Sequence, residues 1–124
     1  MTSLKLEWKK FNVRNAFVQH LMTLSNNYQK IVLLTADLGF GALEPFEEKF
    51  PHRFFNVGIA EQNMIGVAAG LSSAGKLPFI YSIGNFPTFR CAEHIRNEID
   101  YHNLPAVIVS VGAGVSYGSL GYSH

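Results

Sequence analysis

The sequence predicts an α/β domain with a mainly parallel sheet flanked by helices. Three observations lead there. Short apolar runs of strand length recur along the chain, at Ile31 to Thr35, Pro78 to Ile83 and Ala106 to Val111. Segments of helical period or helix-compatible composition separate them, as crossovers between parallel strands require. Glycine and polar residues gather in the stretches that follow the strands, where open parallel sheets hold their ligands.

From Asn12 to Leu24, Val13, Phe17, Val18, Leu21 and Leu24 recur at helical spacing, and Ser25-Asn26-Asn27 reads as the stop. Ile31 to Thr35 is β-branched and leucine throughout, short enough for a strand buried on both faces. A short helix is expected at Glu44 to Phe50, a strand at Phe54 to Val57, and a helix rich in small residues at Glu61 to Ala74. In that helix Gly66, Ala68, Ala69 and Gly70 permit close approach, while Met64, Val67 and Leu71 belong to the core. Pro78 to Ile83 is the next strand, Pro87 to Tyr101 a helix, and Ala106 to Val111 the last strand. The loops to inspect are Asp37 to Gly41, Gly58 to Glu61, Gly84 to Arg90 and Gly112 to His124. The chain ends in a glycine-rich loop, so the domain, taken as residues 1–124, is expected to be incomplete at its C-terminus and the natural chain longer.

Composition narrows the function. Ten basic and nine acidic residues are scattered along the chain, without the basic stripe that a phosphate backbone requires, so no nucleic-acid partner is expected. Cys91 is the single cysteine, which excludes an internal disulfide and a cysteine zinc cluster and suits a reducing, cytoplasmic setting. No apolar run reaches membrane-spanning length and Met1 to Lys10 lacks a secretory core, so no membrane association is expected.

Few residues carry chemistry on their own. Gly39-Phe40-Gly41 is half of a dinucleotide fingerprint, with Glu44-Pro45 where the phosphate-binding helix should start. Asp37 sits at a strand end, a position equally suited to a turn residue. Glu61 opens a helix, where the macrodipole alone favours an acid. Phe86, Phe89 and Arg90 lie where rings can flank a flat ligand and a guanidinium can meet an anion; the competing reading is packing plus a surface ion pair with Glu93 or Glu98. His20, His52, His94 and His102 lack the spacing of a metal site and read as structural or solvent-facing, and no metal ligands are assigned to this chain. His124, in the glycine-rich loop, is harder to explain by packing.

Taken together, Arg53-Phe54-Phe55-Asn56-Val57-Gly58-Ile59-Ala60-Glu61-Gln62-Asn63-Met64, with Ala68-Ala69-Gly70-Leu71 behind it, resembles the signature of the transketolase pyrimidine-binding domain. The resemblance extends from Thr35-Ala36-Asp37-Leu38 through Phe86 to Arg96 and on to Gly118-Ser119-Leu120-Gly121-Tyr122-Ser123-His124, and is nearest to the C-terminal subunit of split bacterial transketolases. It implies thiamine diphosphate as cofactor and Glu61 as the carboxylate that hydrogen-bonds the aminopyrimidine ring nitrogen. That contact promotes removal of the thiazolium C2 proton and so prepares attack on a ketose carbonyl. It also implies Phe86, or else Phe89, as the ring stacked on the pyrimidine, Arg90 beside them, Asp37 near the cofactor and His124 toward a sugar phosphate substrate.

Two departures qualify the resemblance. Leu120 stands where the better-known members carry an aspartate, which bears on donor-sugar specificity. The Gly-Asp-Gly motif that holds diphosphate and Mg2+ is absent from this chain. The resemblance therefore implies a partner, a diphosphate-binding subunit that carries the metal ligands, in a dimer of assembled units, with the isolated chain inactive. The same domain serves deoxyxylulose phosphate synthases and 2-oxoacid dehydrogenase β-type subunits, separable by their donor. A non-catalytic interaction fragment is the alternative from another class, and an adjacent reading frame with the Gly-Asp-Gly motif would argue against it.

Overall fold

A computed structural model of the chain describes residues 12–121. Its elements run α1 (Val13–Asn27), β1 (Ile31–Thr35), α2 (Glu44–Lys49), β2 (Phe54–Asn56), α3 (Glu61–Ser73), β3 (Leu77–Ile83), α4 (Ala92–His94) and β4 (Val107–Val111). The four strands form one sheet in the order β2-β1-β3-β4, and every neighbouring pair is parallel. The register pairs Leu33 with Phe54, Leu33 with Phe79, and Phe79 with Val107.

The period of two along β1 sorts the core into two layers. Ile31 and Leu33 pack with Val18 and Leu21 of α1, Phe46 of α2 and Tyr81. Val32 and Leu34 point to the opposite face, onto Met64, Ile65, Ala68 and Ala69 of α3 and onto Ile80, Cys91 and Ile99. Every residue of β1 is buried, as its unbroken apolar sequence predicts for a strand covered on both sides. Val67 and Leu71 also pack against this second layer, though only partly buried. Gly66 permits the close approach expected of α3's small residues: a Cβ there would lie 3.0 Å from Glu98 Oε2.

Most expected boundaries hold within a few residues. Helix α1 takes Asn12 as its N-cap and continues through Ser25-Asn26-Asn27 instead of stopping there. The largest difference follows β3. In place of a helix from Pro87 there is a turn, a 3₁₀ segment at Phe89–Cys91, one α-helical turn, and a π-helix at Ile95–Asp100. Local bonds explain the delay. The Asn85 carbonyl accepts from the amides of both Thr88 and Arg90, at 3.4 and 3.1 Å. The Gly84 carbonyl is taken by the hydroxyl of Ser110, at 2.6 Å, and that of Thr88, at 3.4 Å. Carbonyls engaged in this way hold the chain in turns across the first residues where a helix was expected.

No helix among the described residues is long and apolar enough to cross a membrane. A cavity of about 680 Å³ opens at the amino ends of β1 and β3, lined by Leu24, Tyr28, Ile31, Leu77 and Phe79 among others. It is larger than the depression at the other end of the sheet, yet it lies away from the loops where the polar residues converge. Its lining is mainly apolar, with Asn27, Gln29 and Lys30 as its polar members.

Candidate functional site

The carboxyl ends of β1, β2 and β3 point the same way, so the loops that follow them share one rim. The strand order places the reversal of winding between β1 and β3, the position at which open α/β sheets form a crevice. Two polar clusters stand on this rim.

The first is centred on Asn56. Its Oδ1 accepts the backbone N–H groups of Asp37, at 2.9 Å, and Gly58, at 3.0 Å, and its Nδ2 donates to Asp37 Oδ1 at 3.4 Å. Asp37 has φ +56°, a left-handed conformation that aspartate tolerates better than most residues. Gly58, at φ +75°, makes the turn from β2 into α3. One amide side chain thus ties the loop after β1 to the loop after β2.

The second cluster holds the charges. Helix α3 begins at Glu61, and no side chain caps it from Ala60. The Glu61 carboxylate turns inward, leaving 6 % of its side chain exposed, and Oε2 lies 3.1 Å from a guanidinium nitrogen of Arg90, itself 46 % exposed. The same guanidinium lies over the Phe86 ring, 4.0 Å from its centroid. Gln62 Nε2 donates to the Arg90 carbonyl at 3.1 Å, and the Arg90 amide donates to Asn85, so the backbone beneath the arginine is fixed at two points. Ile59, Ala60, Glu61, Gln62, Asn63 and Arg90 line an open depression of about 420 Å³.

A surface glutamate at a helix start gains from the macrodipole while fully hydrated. Burying the side chain gives up that hydration, which a charged partner must offset. Glu61 is therefore placed for more than capping. Arg90 pairs with it across the fold and not with Glu93 or Glu98; Glu98 instead lies 2.7 Å from His94 Nδ1.

Cys91 lies beside this pair, fully buried, its thiol directed at the Phe86 carbonyl 3.2 Å away. Burial pushes the Cys91 thiol up from its ordinary value, the Glu61 charge pushes in the same direction, and the Arg90 guanidinium opposes both. The carboxylate and the arginine thus act on the same buried spot from opposite signs.

Of the residues singled out from sequence, Glu61, Phe86 and Arg90 meet in one contact group, and Asp37 stands in the neighbouring cluster. Phe89 is 85 % exposed. His124 lies outside the described residues. Leu120 is exposed in the 3₁₀ turn Gly118–Leu120. Sequence reasoning missed Asn56 as the link between loops and Gln62 as the brace under Arg90. An asparagine closing a strand just before Val-Gly is a signal that could have identified the first.

A carboxylate and an aromatic face lie within reach of one planar group, the Arg90 guanidinium, and a planar ligand that presents an N–H to Glu61 would use the same two contacts. The residues present fit an aminopyrimidine ring. Among the described residues no three His, Cys, Asp or Glu side chains converge on a metal position.

Residues 9–124 match the family model described as transketolase, pyrimidine binding domain. The chain is 42 % identical over 122 residues to a protein of Methanocaldococcus jannaschii named as a transketolase C-terminal section, covering 98 % of this chain and 39 % of that protein. It is 34 % identical over 112 residues to an apulose-4-phosphate transketolase subunit of Phocaeicola vulgatus, covering 90 % of this chain and 36 % of that one. Among solved structures, a split gene transketolase, described as an inactive beta4 tetramer, superposes with a TM-score of 0.72 at 46 % identity, over 84 % of this chain and 35 % of that one. The chain therefore spans little more than a third of the length of each of these relatives.

Proposed function

The chain belongs to the transketolase family, matching its pyrimidine binding domain over nearly its whole length, and from that premise we propose that it supplies the aminopyrimidine-activating half of a thiamine diphosphate site for ketol transfer between sugar phosphates. The observation that carries this reading is the buried Glu61 carboxylate, at the rim of an open depression and in contact with a guanidinium that lies over the Phe86 ring.

Each residue has a role in this reading. Glu61 holds a proton at the ring nitrogen of the pyrimidine, and burial keeps that hydrogen bond out of competition with water. Phe86 offers the stacking face; of the two phenylalanines it is the one that shares Arg90 with Glu61, whereas Phe89 projects outward. Arg90 balances the Glu61 charge while the site is empty. Asp37 fixes the adjoining loop through Asn56, and the substrate role that the resemblance implies for His124 belongs to this reading, though that residue lies outside the described ones. When bound, the cofactor would supply the nucleophilic-carbon chemistry that acts on a ketose carbonyl.

Residues 1–124 act in this reading as one domain, with Mg2+ and the diphosphate held by a partner subunit, since the Gly-Asp-Gly motif is absent from this sequence. Relatives named as a C-terminal section and as one subunit of a transketolase support a split arrangement, and the tetrameric relative supports assembly into oligomers. The complex is assigned to the cytoplasm and functions as a dimer of assembled units, and the isolated chain lacks activity.

The test is deuterium exchange at the cofactor's C2 position in the reconstituted complex. Glu61→Ala should slow exchange by about 10²-fold or more with the fold intact by circular dichroism. Exchange at the unaltered rate would remove Glu61 from the mechanism. Pyruvate accepted as donor in place of a ketose phosphate would move the reading to a deoxyxylulose phosphate synthase or 2-oxoacid dehydrogenase type.

A further inference from the structure

The planar guanidinium of Arg90 makes two contacts at once. It donates toward Glu61 Oε2 at 3.1 Å while lying 4.0 Å from the centre of the Phe86 ring. These are the two contacts assigned above to the aminopyrimidine: an N–H directed at the Glu61 carboxylate and a flat face on the Phe86 ring. A guanidinium and an aminopyrimidine share the required features, being planar, nitrogen-edged and able to stack. Two such groups cannot occupy one face of Phe86 and one carboxylate edge together.

From this geometry we infer that Arg90 is an internal placeholder for the pyrimidine, filling the slot in the empty protein and swinging out when the ligand enters; the inference rests on the reading given under Proposed function. Without an occupant, Glu61 would be a buried carboxylate with no counter-charge, a costly state that Arg90 prevents. The backbone of Arg90 is pinned by Gln62 and Asn85, and its neighbour Cys91 is buried in the core. Release therefore falls to the side chain alone. That side chain is half exposed, and a long arginine stem reaches water by rotamer change without disturbing the fold. Entry of the ligand exchanges one ion pair for a charge-assisted hydrogen bond and one stacking partner for another. The chain thereby selects against cations and ligands too weak to displace its own arginine.

The experiment measures binding of free hydroxymethylaminopyrimidine, which carries the ring and lacks the diphosphate, to the complex reconstituted with the diphosphate-binding partner, by calorimetry. Side-chain NMR of 15N-labelled arginine follows Arg90 in the same samples. Arg90→Met, which keeps the stem and removes the planar charge, should bind the probe about tenfold more tightly, the factor expected when the slot stands open in about one molecule in ten. Arg90→Lys, which keeps the charge and loses the plane, should fall between Met and arginine. In the unaltered chain the Arg90 resonances should move on saturation toward their positions in Glu61→Gln, a readout that stands even if the Met variant folds poorly. Equal or weaker binding by Arg90→Met, with binding still lost in Glu61→Ala, would overturn the placeholder and leave the Glu61 assignment standing. Failure of both the unaltered chain and folded Arg90→Met to bind the probe would overturn the pyrimidine reading, and the placeholder with it.

Discussion

The two polar clusters at the carboxyl end of the sheet use similar residues for opposite ends. Around Asn56 the groups are neutral or exposed, the bonds run to backbone amides, and the product is a fixed spacing between two loops. At Glu61 the group is charged and buried, its partner comes from a different crossover, and a depression opens beside it. The first cluster would stabilise any protein of this shape. The second accepts the desolvation of a carboxylate, which structure alone does not ask for. Proximity on one rim therefore does not make residues equivalent, and burial of charge distinguishes the second cluster from the first.

That contrast can be tested by exchanging losses between the clusters. The largest expected effect is functional: Glu61→Gln should lower the rate of ketol transfer in the assembled complex by about 10²-fold or more while leaving the urea midpoint nearly unchanged. Asn56→Ala should do the reverse, costing about 1–2 kcal/mol from two amides deprived of their acceptor, as read from urea unfolding. If Asn56→Ala abolished activity without loss of stability, the structural assignment of that cluster would fail. Asp37→Val places a β-branched residue at positive φ and should cost about 1–2 kcal/mol in the same assay, whereas Asp37→Gly should stay near neutral.

The smallest effect is a slope in alkaline stability. Burial, joined by the Glu61 charge, raises the folded Cys91 thiol above its ordinary value of 9.0, so above that pH the unfolded chain releases a proton that the folded chain still holds. Stability from this source is complete below about 9.0 and is lost as pH rises toward the raised folded value. Tyr81, raised by burial from 10.0, acts in the same sense at higher pH. Cys91→Ala should flatten the first part of that decline, and Glu61→Gln should flatten it partially; an unchanged profile in Cys91→Ala would assign the whole slope to Tyr81 and other groups.

Much of this was legible in the sequence because strong local patterns coincide with burial. Ile31 to Thr35 is apolar at every position and is covered on both faces, so composition and environment agree. Glu61 was legible through the residues around it, since a helix-opening acid by itself has an ordinary explanation. The segment after β3 was not legible. Its helical composition is overridden by the Asn85 and Gly84 carbonyls, and the Ser110 contribution comes from the far side of β3. The partner of Arg90 was hidden for a related reason: Glu93 and Glu98 are near in sequence, and only the sheet topology brings Glu61 closer. Phe86 and Phe89 look alike in sequence, and it takes the turn between them to send one beneath Arg90 and the other into solvent.

The all-parallel sheet also bears on how quickly the chain reaches its native state. Parallel neighbours cannot be joined by a tight hairpin, so every strand pairing here closes a long loop before any ladder bond forms. The central strand β1 must wait for β2 and β3, both far down the chain. Such pairings are intrinsically slow, and their apolar strands stay uncovered in the interval. Refolding from denaturant should accordingly be slow, with recovery falling as protein concentration rises, and a chaperone that shields β1 until β3 arrives should raise the yield.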